Sequence, residues 1–73
     1  MEITKMSKVK DIEKIPGVIE IIKKHTGQEL NSIMMKMASL LTLQAAARQL
    51  NWSDEILEKC IADFNAAQPP AQG

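Results

Sequence analysis

Apolar and polar positions alternate most regularly over residues 42–64, where the pattern predicts two short helices joined by a tight corner. Two apolar stripes recur there at helical spacing, Leu43, Ala46, Ala47 and Leu50 in the first and Ile56, Leu57, Cys60, Ile61 and Phe64 in the second. Thr42 and Ser53 precede the stripes, where a hydroxyl oxygen can accept hydrogen bonds from the first N–H groups of a helix. Asn51 tolerates the left-handed conformation common at helix ends. The pattern is typical of a helix-turn-helix-like corner.

Three segments upstream also carry apolar residues on one side. The spacing predicts helices over residues 8–14, 16–25 and 33–41, with the second as the central, best buried helix. Pro16 suits the first turn of the second helix, and Gly27 suits its C-terminal cap. Together with the corner, these segments predict an all-α fold, an orthogonal array of four to five short helices.

The remaining segments lack this periodicity. Residues 1–66 are predicted to form a single helical domain, beginning with a loose arm over residues 1–6. Residues 67–73 contain Pro69, Pro70 and Gly73, and they are predicted to be a flexible tail.

Composition sets the size of the core. The chain has 73 residues, of which 45% are hydrophobic but only 3% aromatic, so aliphatic residues and five methionines must fill the interior. A chain of this length is near the lower limit for folding on its own core, and such a core often gains from a partner. A homodimer is therefore plausible on energetic grounds.

Charge and cysteine content narrow the function classes. Nine Lys and Arg residues balance nine Asp and Glu residues, so no overall field attracts nucleic acid or an anionic membrane. The single cysteine, Cys60, excludes an internal disulfide and any multi-cysteine metal site. No apolar run approaches the ~20 residues of a membrane span. These features favour a cytoplasmic protein that binds neither nucleic acid nor a membrane.

The order of short apolar motifs resembles a known family. The motifs are Ile3-Thr4-Lys5, Val9-x-x-Ile12, Ile15-Pro16, Ile19-x-x-Ile22 with Gly27, Thr42-Leu43-x-x-Ala46-Ala47, and Ile61-x-x-Phe64-Asn65-Ala66. Over roughly residues 3–66 they resemble a small all-helical bacterial family of unknown function, whose better-described branch is the hybrid-cluster-protein-associated redox disulfide domain. Relatives in that family occur alone or at the N-terminus of proteins linked to iron–sulfur repair and hemerythrin-like domains.

The chain departs from the redox branch at the position that carries its chemistry. That branch has a C-x-x-C pair a few residues after the glycine that ends its second helix. Here Gly27 is followed by Gln28, Glu29, Leu30, Asn31, Ser32 and Ile33, and Cys60 lies in the last helix. The chain therefore looks like a member of a cysteine-less branch, for which the resemblance implies a fold and no activity.

A methionine-rich stretch provides the candidate interaction surface, formed by Met34, Met35, Met37 and Leu40. Methionine fills irregular gaps in cores and also makes adaptable binding surfaces. Because Met34 and Met35 are adjacent, they cannot point in the same direction from a helix. Core filling and contact with a partner both remain open for this group.

Two single residues have chemical alternatives. His25 at a helix C-terminus matches the helix dipole, although it could ligate a metal or haem with a nearby methionine as a soft second ligand. Cys60 lies within an apolar stripe, which is typical of a buried and unreactive thiol. No metal, cofactor or catalytic residue is assigned on this evidence.

The sequence therefore predicts a non-enzymatic helical interaction module that associates with itself or with another protein. One alternative is a redox or iron–sulfur-related accessory domain that has lost its C-x-x-C pair. A second alternative is a helix-turn-helix DNA-binding module. Its second helix would enter the major groove, yet the outward positions of that helix are mostly acidic: Asp54, Glu55, Glu58 and Asp63 against Lys59.

Overall fold

The computed structural model describes residues 2–68, which form five helices: α1 (Val9–Ile12), α2 (Val18–Thr26), α3 (Ser32–Met37), α4 (Leu43–Gln49) and α5 (Asp54–Ala67). Within these residues the only β-type pairing is an isolated bridge between Lys8 and Thr42, so the predicted all-α class is confirmed. Helix α2 packs mainly against α5, α4 also contacts α5, and α1 packs against α3.

The core draws apolar side chains from all five helices and from the chain before α1. Its buried members are Ile3, Val9, Ile12, Ile15, Val18, Ile22, Met35, Leu43, Ala47, Leu57, Cys60 and Phe64. Phe64 is the only large aromatic residue among them, so aliphatic side chains supply most of the packing, as the composition requires.

Two glycines set the limits of α2. Gly17 has φ of 75° and Gly27 has φ of 72°, both in the left-handed region that a side chain disfavours. The helix therefore begins at Val18, two residues after the predicted start at Pro16, and it ends at Thr26 with Gly27 as the predicted C-terminal cap.

Helix α3 is shorter than the predicted segment of residues 33–41. It begins after Asn31, whose side-chain oxygen accepts a hydrogen bond from the N–H of Met34 at 2.9 Å, and it ends at Met37. The chain then turns, with the N–H of Leu41 donating to the carbonyl oxygen of Ala38 at 2.9 Å.

The corner between α4 and α5 follows its sequence signals. The hydroxyl of Thr42 accepts from the N–H of Ala45 at 3.1 Å, and that of Ser53 accepts from the N–H of Ile56 at 3.2 Å. Asn51 has φ of 62°, the left-handed conformation predicted for it.

Helix α5 continues beyond its predicted end at Phe64 and finishes at Ala67, which packs against the core. The helix therefore extends one residue beyond the predicted domain limit at residue 66. The rest of the predicted tail, residues 69–73, lies outside the described part of the chain.

The starts of α1 and α4 satisfy each other's free backbone N–H groups. Four hydrogen bonds of 2.8–3.0 Å do this: Val9 and Lys10 donate to the carbonyl oxygens of Leu41 and Ser39, and Leu43 and Gln44 donate to those of Ser7 and Lys5. The first N–H groups of a helix have no partner within the helix, so this exchange replaces side-chain or water capping. We refer to residues 5–10 and 39–44 as the paired helix starts.

The prediction of a loose arm over residues 1–6 is wrong for Ile3, which is 1% exposed. The side-chain amide of Asn65 on α5 binds both backbone groups of Ile3. Its Oδ1 accepts from the N–H of Ile3 at 2.8 Å, and its Nδ2 donates to the carbonyl oxygen of Ile3 at 3.0 Å. The arm is therefore fixed by a partner 62 residues away in the sequence.

We expect Asn65→Ala to lower the free energy of unfolding by about 1–3 kcal/mol, because it leaves the backbone groups of Ile3 without partners. Chemical denaturation measures this loss, and amide hydrogen exchange should show the N–H of Ile3 losing protection. Glu58→Ala, at an exposed position on the same helix, is the matched control. Equal stability of the two variants would contradict the role given to Asn65.

Candidate functional site

An open apolar groove of about 340 Å³ lies among the described helices. Its walls come from α1 to α4 and from the corner before α5. The lining residues are Val9, Ile12, Ile22, Leu30, Met34, Met35, Met37, Ala38, Leu41, Leu43, Ala46, Gln49, Leu50 and Trp52. Gln49 is the one polar side chain among them, so the groove suits an apolar occupant.

Exposed apolar side chains of α3 and of the turn after it form what we call the apolar rim: Ile33, Met34, Met37 and Leu40, of which Met34 and Met37 also line the groove. Their exposed fractions are 68%, 44%, 83% and 72% in that order. Leaving side chains of this kind in water forgoes about 1.5–3 kcal/mol each relative to full burial. Large apolar side chains clustered at one place on a small protein are typical of a contact surface.

The four residues predicted to form the interaction surface divide between core and surface. Met34, Met37 and Leu40 are in the apolar rim, whereas Met35 is only 6% exposed and belongs to the core. Met35 is therefore corrected from a surface residue to part of the groove wall. Whether the other three contact a partner remains a prediction.

The rim and the groove lining from Leu30 to Ala46 come from a part of the chain that is almost free of charge. Between Glu29 and Arg48 the only charged residue is Lys36. Helical spacing places Lys36 away from Met34 and Met37, which are three positions apart and share a face of α3. Depletion of charge and enrichment in methionine are features of the centre of protein interfaces. This charge-poor stretch is visible in the sequence itself.

Trp52 forms one end of the groove and is held there by Gln28. The indole Nε1–H donates to Gln28 Oε1 at 3.2 Å, and Gln28 Nε2 donates to the carbonyl oxygen of Leu50 at 3.1 Å. Gln28 thus joins the end of α2 to the corner between α4 and α5. Since a buried indole N–H needs an acceptor, this contact fixes the position of the only tryptophan in the chain.

His25 lies in a polar contact between α2 and α5 and is not part of the groove lining. Its Nε2 is 2.7 Å from Asp63 Oδ2, and Lys24 Nζ is 2.9 Å from the same oxygen. These hydrogen bonds, from Lys24 first and His25 second, hold the pKa of the Asp63 carboxyl below its ordinary value. The structure therefore does not bring His25 together with the methionines as a ligand set.

Metal chemistry gains no support from the described residues. Among residues 2–68, no three His, Cys, Asp or Glu side chains lie close enough together to hold a metal ion.

Cys60 is fully enclosed in the core, with an exposed fraction of 0%. Burial raises the pKa of its thiol to about 11, the Asp63 carboxylate adds to the rise, and Lys24 opposes it. The thiol therefore remains protonated at neutral pH, and a thiolate nucleophile is not available.

The outer face of α5 is mostly acidic, as the sequence indicated. Asp54, Glu55 and Glu58 are exposed. Lys59 Nζ is 3.6 Å from Glu55 Oε2, so the Glu55 carboxylate offsets the positive charge of Lys59. A helix with this surface would repel phosphate groups rather than attract them.

Searches of known protein families, curated proteins and solved structures found no match to this chain. The resemblance to the redox disulfide domain family consequently remains a prediction. No helix in residues 2–68 combines the length and apolar character needed to cross a membrane.

We expect Cys60 to react with iodoacetamide much more slowly in the native protein than in denaturant, because the thiol is buried and protonated. Ala62→Cys adds a second thiol at an exposed position on the same helix and serves as the reference. Mass spectrometry should show rapid modification at residue 62 and slow modification at Cys60. Equal rates at the two positions would contradict the burial of Cys60.

We expect the contribution of Asp63 to stability to be lost in acid. Because its pKa is lower in the folded state than the ordinary 3.8, the ionised carboxylate stabilises the fold above that value, and protonation removes the effect as pH falls below it. The stability difference between the wild type and Asp63→Asn should therefore be present above about pH 4 and shrink as the pH falls below it.

Denaturant unfolding at several pH values measures this difference, and Glu58→Gln controls for the general loss of a negative charge. A constant difference across the acid range would show that Asp63 is not held by Lys24 and His25 in solution.

Proposed function

We propose that this chain is a non-enzymatic interaction module that associates with itself through the apolar rim. The observation that carries the proposal is the exposure of Met37 and Leu40, at 83% and 72%, beside an apolar groove. A cytoplasmic location is part of the proposal, supported by the single cysteine in the chain, which leaves no second cysteine for an internal disulfide.

The energetics of the rim favour a weak complex. Rim side chains contributed by two copies would each gain up to about 1.5–3 kcal/mol on burial. Association costs roughly 4–15 kcal/mol in lost translational and rotational freedom. This cost offsets much of the summed gain of the rim side chains, so we expect a reversible dimer rather than an obligate one.

The composition of the face supports a protein partner. Methionine side chains adapt to the shape of an apolar partner, and Met34 and Met37 are the exposed thioethers of α3. The zero net charge of the chain allows two copies to approach without overall repulsion.

The test is sedimentation equilibrium over a wide concentration range with the wild type and the double variant Met37→Asp/Leu40→Asp. The wild type should show a monomer–dimer equilibrium, and the variant should remain monomeric because a dimer would bury unpaired carboxylates. Both substitutions are at exposed positions, so the fold should be retained, which far-ultraviolet circular dichroism checks.

Met6→Asp is the matched control, since Met6 is 63% exposed but does not line the groove. This variant should dimerise like the wild type. A wild type that stays monomeric up to millimolar concentration would remove self-association. Dimerisation of the double variant would place the contact surface elsewhere.

A further inference from the structure

We propose that the dimer is reciprocal, with Met37 and Leu40 of each copy entering the apolar groove of the other. The inference rests on the proposed function and adds the binding mode. Each groove is then completed by two side chains of the second copy, and neither copy presents an empty groove in the complex.

The first argument is the position of the protruding residues relative to the groove. Met37 lines the groove although it is 83% exposed, and Leu40, 72% exposed, follows in the turn after α3. Protruding side chains beside a groove make a surface that can pair with a second copy of itself. Rotation about a two-fold axis between them places the protruding side chains of each copy over the groove of the other copy, as in an isologous interface.

Charge provides the second argument. A groove that received a charged or strongly polar segment would need complementary charges in its walls, and it has none, because its only polar side chain is Gln49. The segment best matched to these walls is itself uncharged and apolar. The stretch that contains Met37 and Leu40 meets this requirement, since Lys36 is the only charge between Glu29 and Arg48.

Area provides the third argument. A standard interface buries about 800 Å² on each partner. The chain has a surface of 4961 Å², so such an interface would occupy roughly a sixth of it, and one face of this small molecule is sufficient. Contact through the rim alone would bury less than contact through the rim and groove together, which favours the reciprocal arrangement.

The experiment uses two variants with complementary defects. The rim variant Leu40→Asp leaves every groove-lining side chain unchanged, and the groove variant Ala46→Phe keeps its rim but fills the groove from α4. Ala46 lines the groove and is half-buried, so the larger side chain has open space to enter. Ala45→Phe, one position earlier on the same helix and outside the groove lining, is the matched control.

Each defective variant alone should associate at least about tenfold more weakly than the wild type in sedimentation equilibrium, whereas Ala45→Phe should not. An equimolar mixture of the rim and groove variants should regain association with intermediate affinity. In that mixture the intact rim of one variant can enter the intact groove of the other, which restores one of the two reciprocal contacts.

The fluorescence of Trp52 gives an independent readout, because the only tryptophan lines the groove. Its emission should shift with concentration in the wild type and on mixing the two variants, and it should stay constant in the rim variant alone. Ala38→Phe, which fills the groove from the turn after α3, replaces Ala46→Phe if circular dichroism shows that the latter is unfolded.

The outcomes separate the binding mode from the proposed function. If both variants lose association and the mixture does not recover it, the copies meet through this face but not reciprocally, and the inference is overturned. Dimerisation of a folded groove variant at wild-type affinity overturns it as well. A wild type that is monomeric at all concentrations overturns both the inference and the self-association on which it rests.

Discussion

The exchange of backbone hydrogen bonds between the paired helix starts is the constraint on which the rest of the structure depends. It forces the segment before α4 to supply carbonyl oxygens, those of Ser39 and Leu41, to the first turn of α1. The turn after α3, which carries the exposed Leu40, is thereby held against the first turn of α1. The same exchange fixes α1 beside α4, and the space left between them and α3 is the apolar groove.

The part of the fold that could be predicted from sequence is the part controlled by neighbouring residues. Thr42, Asn51 and Ser53 act through backbone groups within three positions, so residue type alone indicated the corner between α4 and α5. Gly27 similarly marked the end of α2. In contrast, the burial of Ile3 depends on Asn65, and the position of α1 beside α4 depends on the hydrogen bonds between the paired helix starts. Neither long-range partner leaves a local signal.

The candidate interaction surface was likewise predictable only in the features that neighbouring residues determine. The methionine-rich stretch was recognisable from composition, but which methionine faces the core depends on where α3 begins and ends. With the helix limited to residues 32–37, Met35 faces α1 and the core while Met34 and Met37 lie at the edge of the groove. The groove itself could not be predicted, since its walls come from segments that are distant in the sequence. Cys60 and His25 were simpler cases, because an apolar stripe and a helix terminus already defined their surroundings.

Asn65 has a consequence for the topology of the whole chain. Its Oδ1 accepts from the N–H of Ile3 and also from Gln68 Nε2 at 3.0 Å, so both ends of the described chain meet at one side-chain atom. In space the polypeptide is therefore nearly a closed ring, although it contains no covalent crosslink. A linker or label attached near either end would leave the domain from the same point.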